Sequence, residues 1–114
     1  MPFIHSKVNV KTSPEQQKEL KMRLGQAIAA IPGKSEAWLM VNLEDEQKMY
    51  FRGEDSEPLA FICVNCYGSA DEKAFERMTA ELTTIYGEVL GVKPDHMYIK
   101  YDASMYWGWN GGNF

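Results

Sequence analysis

The chain has 114 residues, 45% apolar and 25% charged, and its 12 Lys and Arg against 16 Asp and Glu give a net charge of −4. That length suits one domain, 1–114, with a core of its own. The acidic balance excludes nonspecific nucleic-acid binding, which needs a basic face, and no apolar run approaches the ~20 residues of a membrane span. The N-terminus lacks the basic-then-apolar pattern of a secretory signal, so a cytoplasmic location is expected, with any release from the cell independent of a signal peptide.

Phe3 to Val10 alternates, with Ile4, Val8 and Val10 on one face and His5, Lys7 and Asn9 on the other, which is the pattern of a half-buried strand. Ser13-Pro14-Glu15-Gln16 then reads as a capping box with proline in the first helical position. Leu20, Leu24, Ala27, Ile28 and Ile31 follow at helical spacing until Pro32-Gly33. A second strand is expected over Ala37 to Leu43, a charged turn over Glu44 to Lys48, a short edge strand over Met49 to Phe51, and a loop from Arg52 to Pro58. Leu59 to Tyr67 is almost continuously apolar and reads as a strand buried on both faces. Ser69-Ala70-Asp71-Glu72 opens a second helix with a Ser-x-x-Glu box, and its stripe is Phe75, Met78, Leu82, Ile85 and Val89. Gly91 closes it, Pro94 blocks its resumption, and His96 to Tyr101 is the last strand. The tail from Tyr106 to Phe114 mixes large aromatics with glycines.

The halves are the same β-α-β unit used twice, and right-handed crossovers put both helices on one face of a shared sheet. A strand apolar on both faces then needs cover from another chain, so an oligomer is expected. The aromatic tail is expected to pack on a neighbour rather than stay solvated. Cys63 and Cys66 form a C-x-x-C, but residues three apart on a strand point to opposite faces ~10 Å apart, beyond the ~7 Å Cα separation of a disulfide. They read as two buried, reduced thiols. Two histidines, His5 and His96, are too sparse to suggest a metal site. Gly33-Lys34-Ser35 resembles the end of a phosphate loop, yet the required first glycine is Ile28 and the segment ends a helix instead of opening one.

Pro2 carries a different possibility. A proline after the initiator methionine permits removal of that methionine and leaves a secondary amine. Burial, or positive charge from Lys34 or Lys100, lowers the pKa of such an amine from its usual ~8, so that it can accept a proton at neutral pH. Taken alone, Pro2 reads more readily as the start of an edge strand.

Over the whole chain, Met1-Pro2-Phe3-Ile4, Gly33-Lys34, Ser56-Glu57-Pro58, Gly68, Pro94-Asp95-His96-Met97-Tyr98-Ile99 and Gly108-Trp109-Asn110 resemble, in order and spacing, the macrophage migration inhibitory factor family of the tautomerase superfamily, with about one residue inserted in the Arg52–Ser56 loop. The resemblance implies an α/β fold (α+β in some schemes): a duplicated β-α-β unit forming a four-stranded mixed sheet with two helices on one face, assembled as a homotrimer with active sites at subunit boundaries. It also implies a keto–enol tautomerase acting on aromatic 2-oxo acids of the phenylpyruvate type, with no metal or cofactor. Pro2 is then the catalytic base, Lys34 and the Tyr67 N–H hold the substrate carboxylate, and Tyr98 reaches in from a neighbouring subunit. Lys100 stands where mammalian members carry an asparagine that meets the far end of the substrate. Phe3, Trp38, Trp107, Trp109 and Phe114 fall at pocket-lining positions.

Several positions depart from the family pattern. Leu59 and Ile62 occupy the places of the family's cysteine pair, so a thiol-oxidoreductase role does not carry over. Thr12 replaces a receptor-contacting arginine of the mammalian cytokine. The alternative to an enzyme is a cytokine-like module with a receptor partner and a secondary pocket. A related proline-base enzyme that hydrates or dehalogenates small acids is a third reading.

Overall fold

The computed structural model describes residues 1–114. Four strands, β1 (Pro2–Val8), β2 (Met40–Glu44), β3 (Ala60–Tyr67) and β4 (Met97–Ser104), form a mixed sheet in the order β2-β1-β3-β4. β1 and β2 are parallel, as are β3 and β4, while the central pair β1–β3 is antiparallel. Each parallel pair is bridged by a helix, α1 (Pro14–Ala27) or α2 (Glu72–Leu90), because a parallel connection needs a crossover of a dozen residues or more.

The expected capping box forms at α1: the Ser13 hydroxyl accepts from the Gln16 N–H and the Gln16 side chain accepts from the Ser13 N–H. The Gln16 amide also donates to the Val89 carbonyl at 3.1 Å, which ties the start of α1 to the end of α2. α2 is capped by Asp71 rather than by the Ser69 box, its carboxylate accepting from the Ala74 N–H. Gly91 ends α2 at φ +73, a left-handed conformation that favours glycine.

Both helices cover one face of the sheet. Ile4, Val8, Ile62 and Val64 meet Leu20, Leu24, Ile28, Met78 and Leu82 in the core. One polar pair lies inside it: the Tyr86 hydroxyl donates to Ser6 Oγ at 2.9 Å, and both residues are buried. At the end of β2, the Asp45 carboxylate accepts from both the N–H and the hydroxyl of buried Thr12.

Two further expectations are corrected. Met49 to Phe51 is not a strand; Phe51 and Glu54 instead close a tight turn with reciprocal backbone bonds of 2.9 and 3.0 Å, and Arg52 and Gly53 turn with φ of +54 and +75. Ala37 and Trp38 lie in a 3-10 turn, and β2 starts at Met40. Within the single chain β3 is buried on its helix face, and on the other face, where cover by another chain is expected, Phe61 is exposed, Asn65 and Tyr67 are half-buried and Cys63 is buried. The tail folds into a small ribbon, β5 (Gly108–Trp109) against β6 (Gly112–Asn113), around Asn110 and Gly111, both at positive φ, as a two-residue hairpin turn requires.

Candidate functional site

Pro2 is buried at the start of β1, opposite Cys66 of β3. The neighbouring Tyr67 N–H donates to the Met1 carbonyl at 3.2 Å, so this backbone donor is directed at the first peptide of the chain. Lys34 arrives from a turn in which its own N–H bonds the Ile31 carbonyl at 3.1 Å, and Gly33 at φ +79 redirects the backbone. Its ammonium donates to the Tyr67 carbonyl at 2.7 Å and lies 5.8 Å from the Tyr67 ring centre. An ammonium has three donors, so two stay free for an incoming anion. A cleft of ≈ 600 Å³ opens beside this lysine, lined by Ile31, Lys34, Cys66, Tyr67, Gly68 and Phe75 among others.

The electrostatics follow from this crowding. Burial, then the Lys34 cation, hold the Met1 α-amine below its ordinary value, with Cys66 pulling the other way. Burial also pushes the Cys66 thiol up, opposed by Lys34 and the N-terminal charge. Cys63 is likewise pushed up by burial and eased back chiefly by Lys100. Both thiols are free, and they face opposite sides of β3. No group of three or more His, Cys, Asp or Glu side chains converges anywhere in the chain.

The aromatic rim comes from the tail. Phe114 packs edge-on against Tyr67 at 5.2 Å and Trp109 edge-on against Trp38 at 5.1 Å. The Trp107 carbonyl accepts from the Phe114 N–H at 3.0 Å, closing the tail onto the site. One chain therefore brings together Pro2, Lys34, Tyr67 and Phe114, with Trp38, Trp107 and Trp109 alongside.

It does not bring in Tyr98, Lys100 or Phe3. These lie on the open face of the sheet, where Phe3 stacks on His5 at 5.0 Å and Lys100 pairs with Asp102 at 3.5 Å. Tyr98 stands opposite Phe61 and Pro2 opposite Cys66. At about 3.3 Å per residue the two positions are roughly 16 Å apart along the strands, and two strand spacings, ~10 Å, across them. No tyrosine side chain spans that distance. Beside Tyr98, and not anticipated from the sequence, are Phe51 and His96, whose rings lie 5.6 Å apart; an isolated aromatic in a short apolar run and a lone histidine give no signal of such a cluster.

Two crossover units, four strands in this order and both helices on one face define the fold of the tautomerase superfamily. The chain belongs to the macrophage migration inhibitory factor family, whose model matches residues 1–114. It is similar to MIF2 of Leishmania major, 25% identical with a TM-score of 0.91 over 100% of this chain and 97% of that one. It is also similar to a macrophage migration inhibitory factor homologue from Prochlorococcus marinus, 25% identical with a TM-score of 0.80 over 98% of each. A protein solved after inactivation by 2-oxo-3-pentynoate shares the fold at 18% identity, with a TM-score of 0.86 over 97% of this chain and 94% of that one. No curated protein sequence matches the chain.

Proposed function

We propose that this protein, once Met1 is removed, is a keto–enol tautomerase of aromatic 2-oxo acids of the phenylpyruvate type, with Pro2 as general base. The observation that carries the reading is the convergence at the N-terminus of the buried Pro2, the Lys34 ammonium and the Tyr67 N–H. Removing Met1 does two things at once. It converts the proline nitrogen from an amide into a secondary amine, and it frees the Tyr67 N–H from the Met1 carbonyl. Base and anion donor are thus released by a single processing step.

Pro2 takes a proton from the carbon beside the 2-oxo group, and the electron pair moves into a new carbon–carbon double bond as charge develops on the oxygen. Lys34 and the Tyr67 N–H hold the carboxylate. Tyr98, donated by the neighbouring subunit of a homotrimer, hydrogen-bonds the charged oxygen, the kind of preorganised donor that is worth most in a water-poor site. Lys100 of that same neighbour meets the far end of the substrate, and the protonated proline returns its proton to the oxygen. The inactivation of a fold relative by 2-oxo-3-pentynoate, itself a 2-oxo acid, agrees with this substrate class.

The cytokine-like reading gains no support at Thr12, which is buried and occupied by Asp45. The test is phenylpyruvate turnover by methionine-free protein beside its Pro2→Gly variant. Turnover lost in the variant supports the base. Absence of turnover in the parent, with Met1 shown by mass to be gone, removes this substrate class.

A further inference from the structure

We infer that Phe51 is a positioning residue whose ring fixes the direction of the Tyr98 side chain, and through it the contact Tyr98 makes with substrate in the neighbouring subunit's site. This rests on the role proposed for Tyr98.

Tyr98 is 65% exposed at the rim of the open sheet face. The Tyr86 and Tyr101 hydroxyls are engaged within the chain, by Ser6 and Thr79, and Tyr98 has no such anchor. A surface tyrosine without an anchor samples several rotamers, and fixing one carries an entropic cost. Here the one aromatic ring packed on it is that of Phe51. The Phe51 ring meets the Tyr98 ring edge-to-face at 5.6 Å and 84°, an arrangement that aromatic quadrupoles favour.

Phe51 is itself braced by neighbours. The Arg52 guanidinium lies 4.9 Å from its ring centre, and His96 leans on it at 5.6 Å and 59°. His96 is fixed in turn, its N–H bonding the Lys93 carbonyl at 2.9 Å and its Nδ1 meeting Asp95 at 2.7 Å. The turn at Arg52-Gly53, locked by two backbone bonds, sets where the Phe51 backbone sits. Leu59, Phe61 and Met97 complete a small apolar recess of ≈ 80 Å³ around the two rings. Phe51 is thus a braced wall against Tyr98, at the opposite end of the chain's own sheet from Pro2. The effect expected on turnover therefore passes through Tyr98, and the test separates it from an effect on assembly.

The test is a double-mutant cycle in methionine-free protein, reading kcat/KM for phenylpyruvate in Phe51→Leu, Tyr98→Phe and the combined variant. The expected result is a fall of about fivefold for Phe51→Leu, the scale of one aromatic pair, and no further fall when it is added to Tyr98→Phe. Phe51→Tyr, which keeps the ring, restores most of the loss. Should Phe51→Leu fail to assemble, Phe51→Met keeps the apolar volume and removes the ring. An equal loss from the Phe51 change with and without the Tyr98 hydroxyl overturns the positioning role while leaving Tyr98 as a substrate contact. A Tyr98→Phe variant as active as the parent overturns both.

Discussion

The separation of Pro2 from Tyr98 within one chain has a consequence that can be measured by mixing variants. The two positions lie at opposite ends of the sheet, roughly 16 Å apart along the strands and ~10 Å across them, and Tyr98 is on the face that the helices leave open. A site that uses both must draw on two chains. Pro2→Gly removes the base and Tyr98→Phe removes a donor whose loss costs on the order of 10²-fold in rate, so each homogeneous variant is poorly active. When the two are co-expressed and assemble at random, about a quarter of subunit boundaries join an intact Pro2 from one chain to an intact Tyr98 from the next. That fraction holds for a closed ring of any size. Purified mixed oligomer assayed with phenylpyruvate should therefore recover about a quarter of parental activity. If the mixture shows only the average of the two separate variants, Pro2 and Tyr98 do not meet across a boundary, and the shared-site account is wrong.

Other outcomes follow from particular contacts. Lys34 repels the protonated N-terminal amine, so Lys34→Met should raise the pKa of the base, move the acidic limb of the kcat/KM profile to higher pH, and raise KM for the carboxylate; an unchanged limb in a pH-rate profile would separate Lys34 from the base. Tyr86→Phe leaves the buried Ser6 hydroxyl without its partner and should cost about 1–2 kcal/mol in urea unfolding at neutral pH. Burial pushes the Tyr86 hydroxyl up to about 12 from 10.0, so the native state keeps a proton that the unfolded chain loses, and stability should fall as pH rises between those values. A phenylalanine at this position cannot titrate, and that part of the alkaline loss should vanish in Tyr86→Phe. The hydroxyl and N–H of Thr12 hold the Asp45 carboxyl below its ordinary value of 3.8, so its contribution is present above that pH and disappears as pH falls through the depressed native value. Acid unfolding of Asp45→Asn should lack this component.

Much of the fold was legible because local chemistry and tertiary packing agree. Ser13 and Gln16 form the box their spacing predicts, Gly91 takes the left-handed conformation its place after α2 demands, and the repeat of strand, helix and strand gives the two parallel pairs. Where two residues could serve the same purpose, local reading chose wrongly: Ser69 and Asp71 are both competent caps, and the helix begins after Asp71. Met49 to Phe51 has strand composition, but strand structure needs a partner ladder, and the chain offers none there. Trp38 falls in an apolar run that reads as strand, yet its N–H bonds back to the Ser35 carbonyl and coils the segment into a turn. In the site, Lys34 meets Tyr67 across 33 residues and Phe114 meets Tyr67 through the tail, contacts that no periodicity encodes. Those positions were reached through the family resemblance. The same resemblance has Tyr98 reach the site from a neighbouring subunit, and within one chain Tyr98 and Lys100 lie on the open face of the sheet, away from Pro2. The cluster of Phe51, His96 and Tyr98 escaped notice because its members come from a turn, a 3-10 turn and a strand.

The central claim is that the Pro2 nitrogen, once freed, is a neutral amine at pH 7. Mass analysis of peptides from methionine-free protein treated with 2-oxo-3-pentynoate tests it directly, because only an unprotonated amine can add to the alkyne and form the new nitrogen–carbon bond. The expected result is one adduct per chain on the peptide that begins with Pro2, formed at a rate that has already levelled off by pH 7, with loss of phenylpyruvate turnover in step with labelling and no adduct at Pro2 in protein that retains Met1. An unlabelled Pro2, or label found on Cys63 or Cys66 instead, would contradict it.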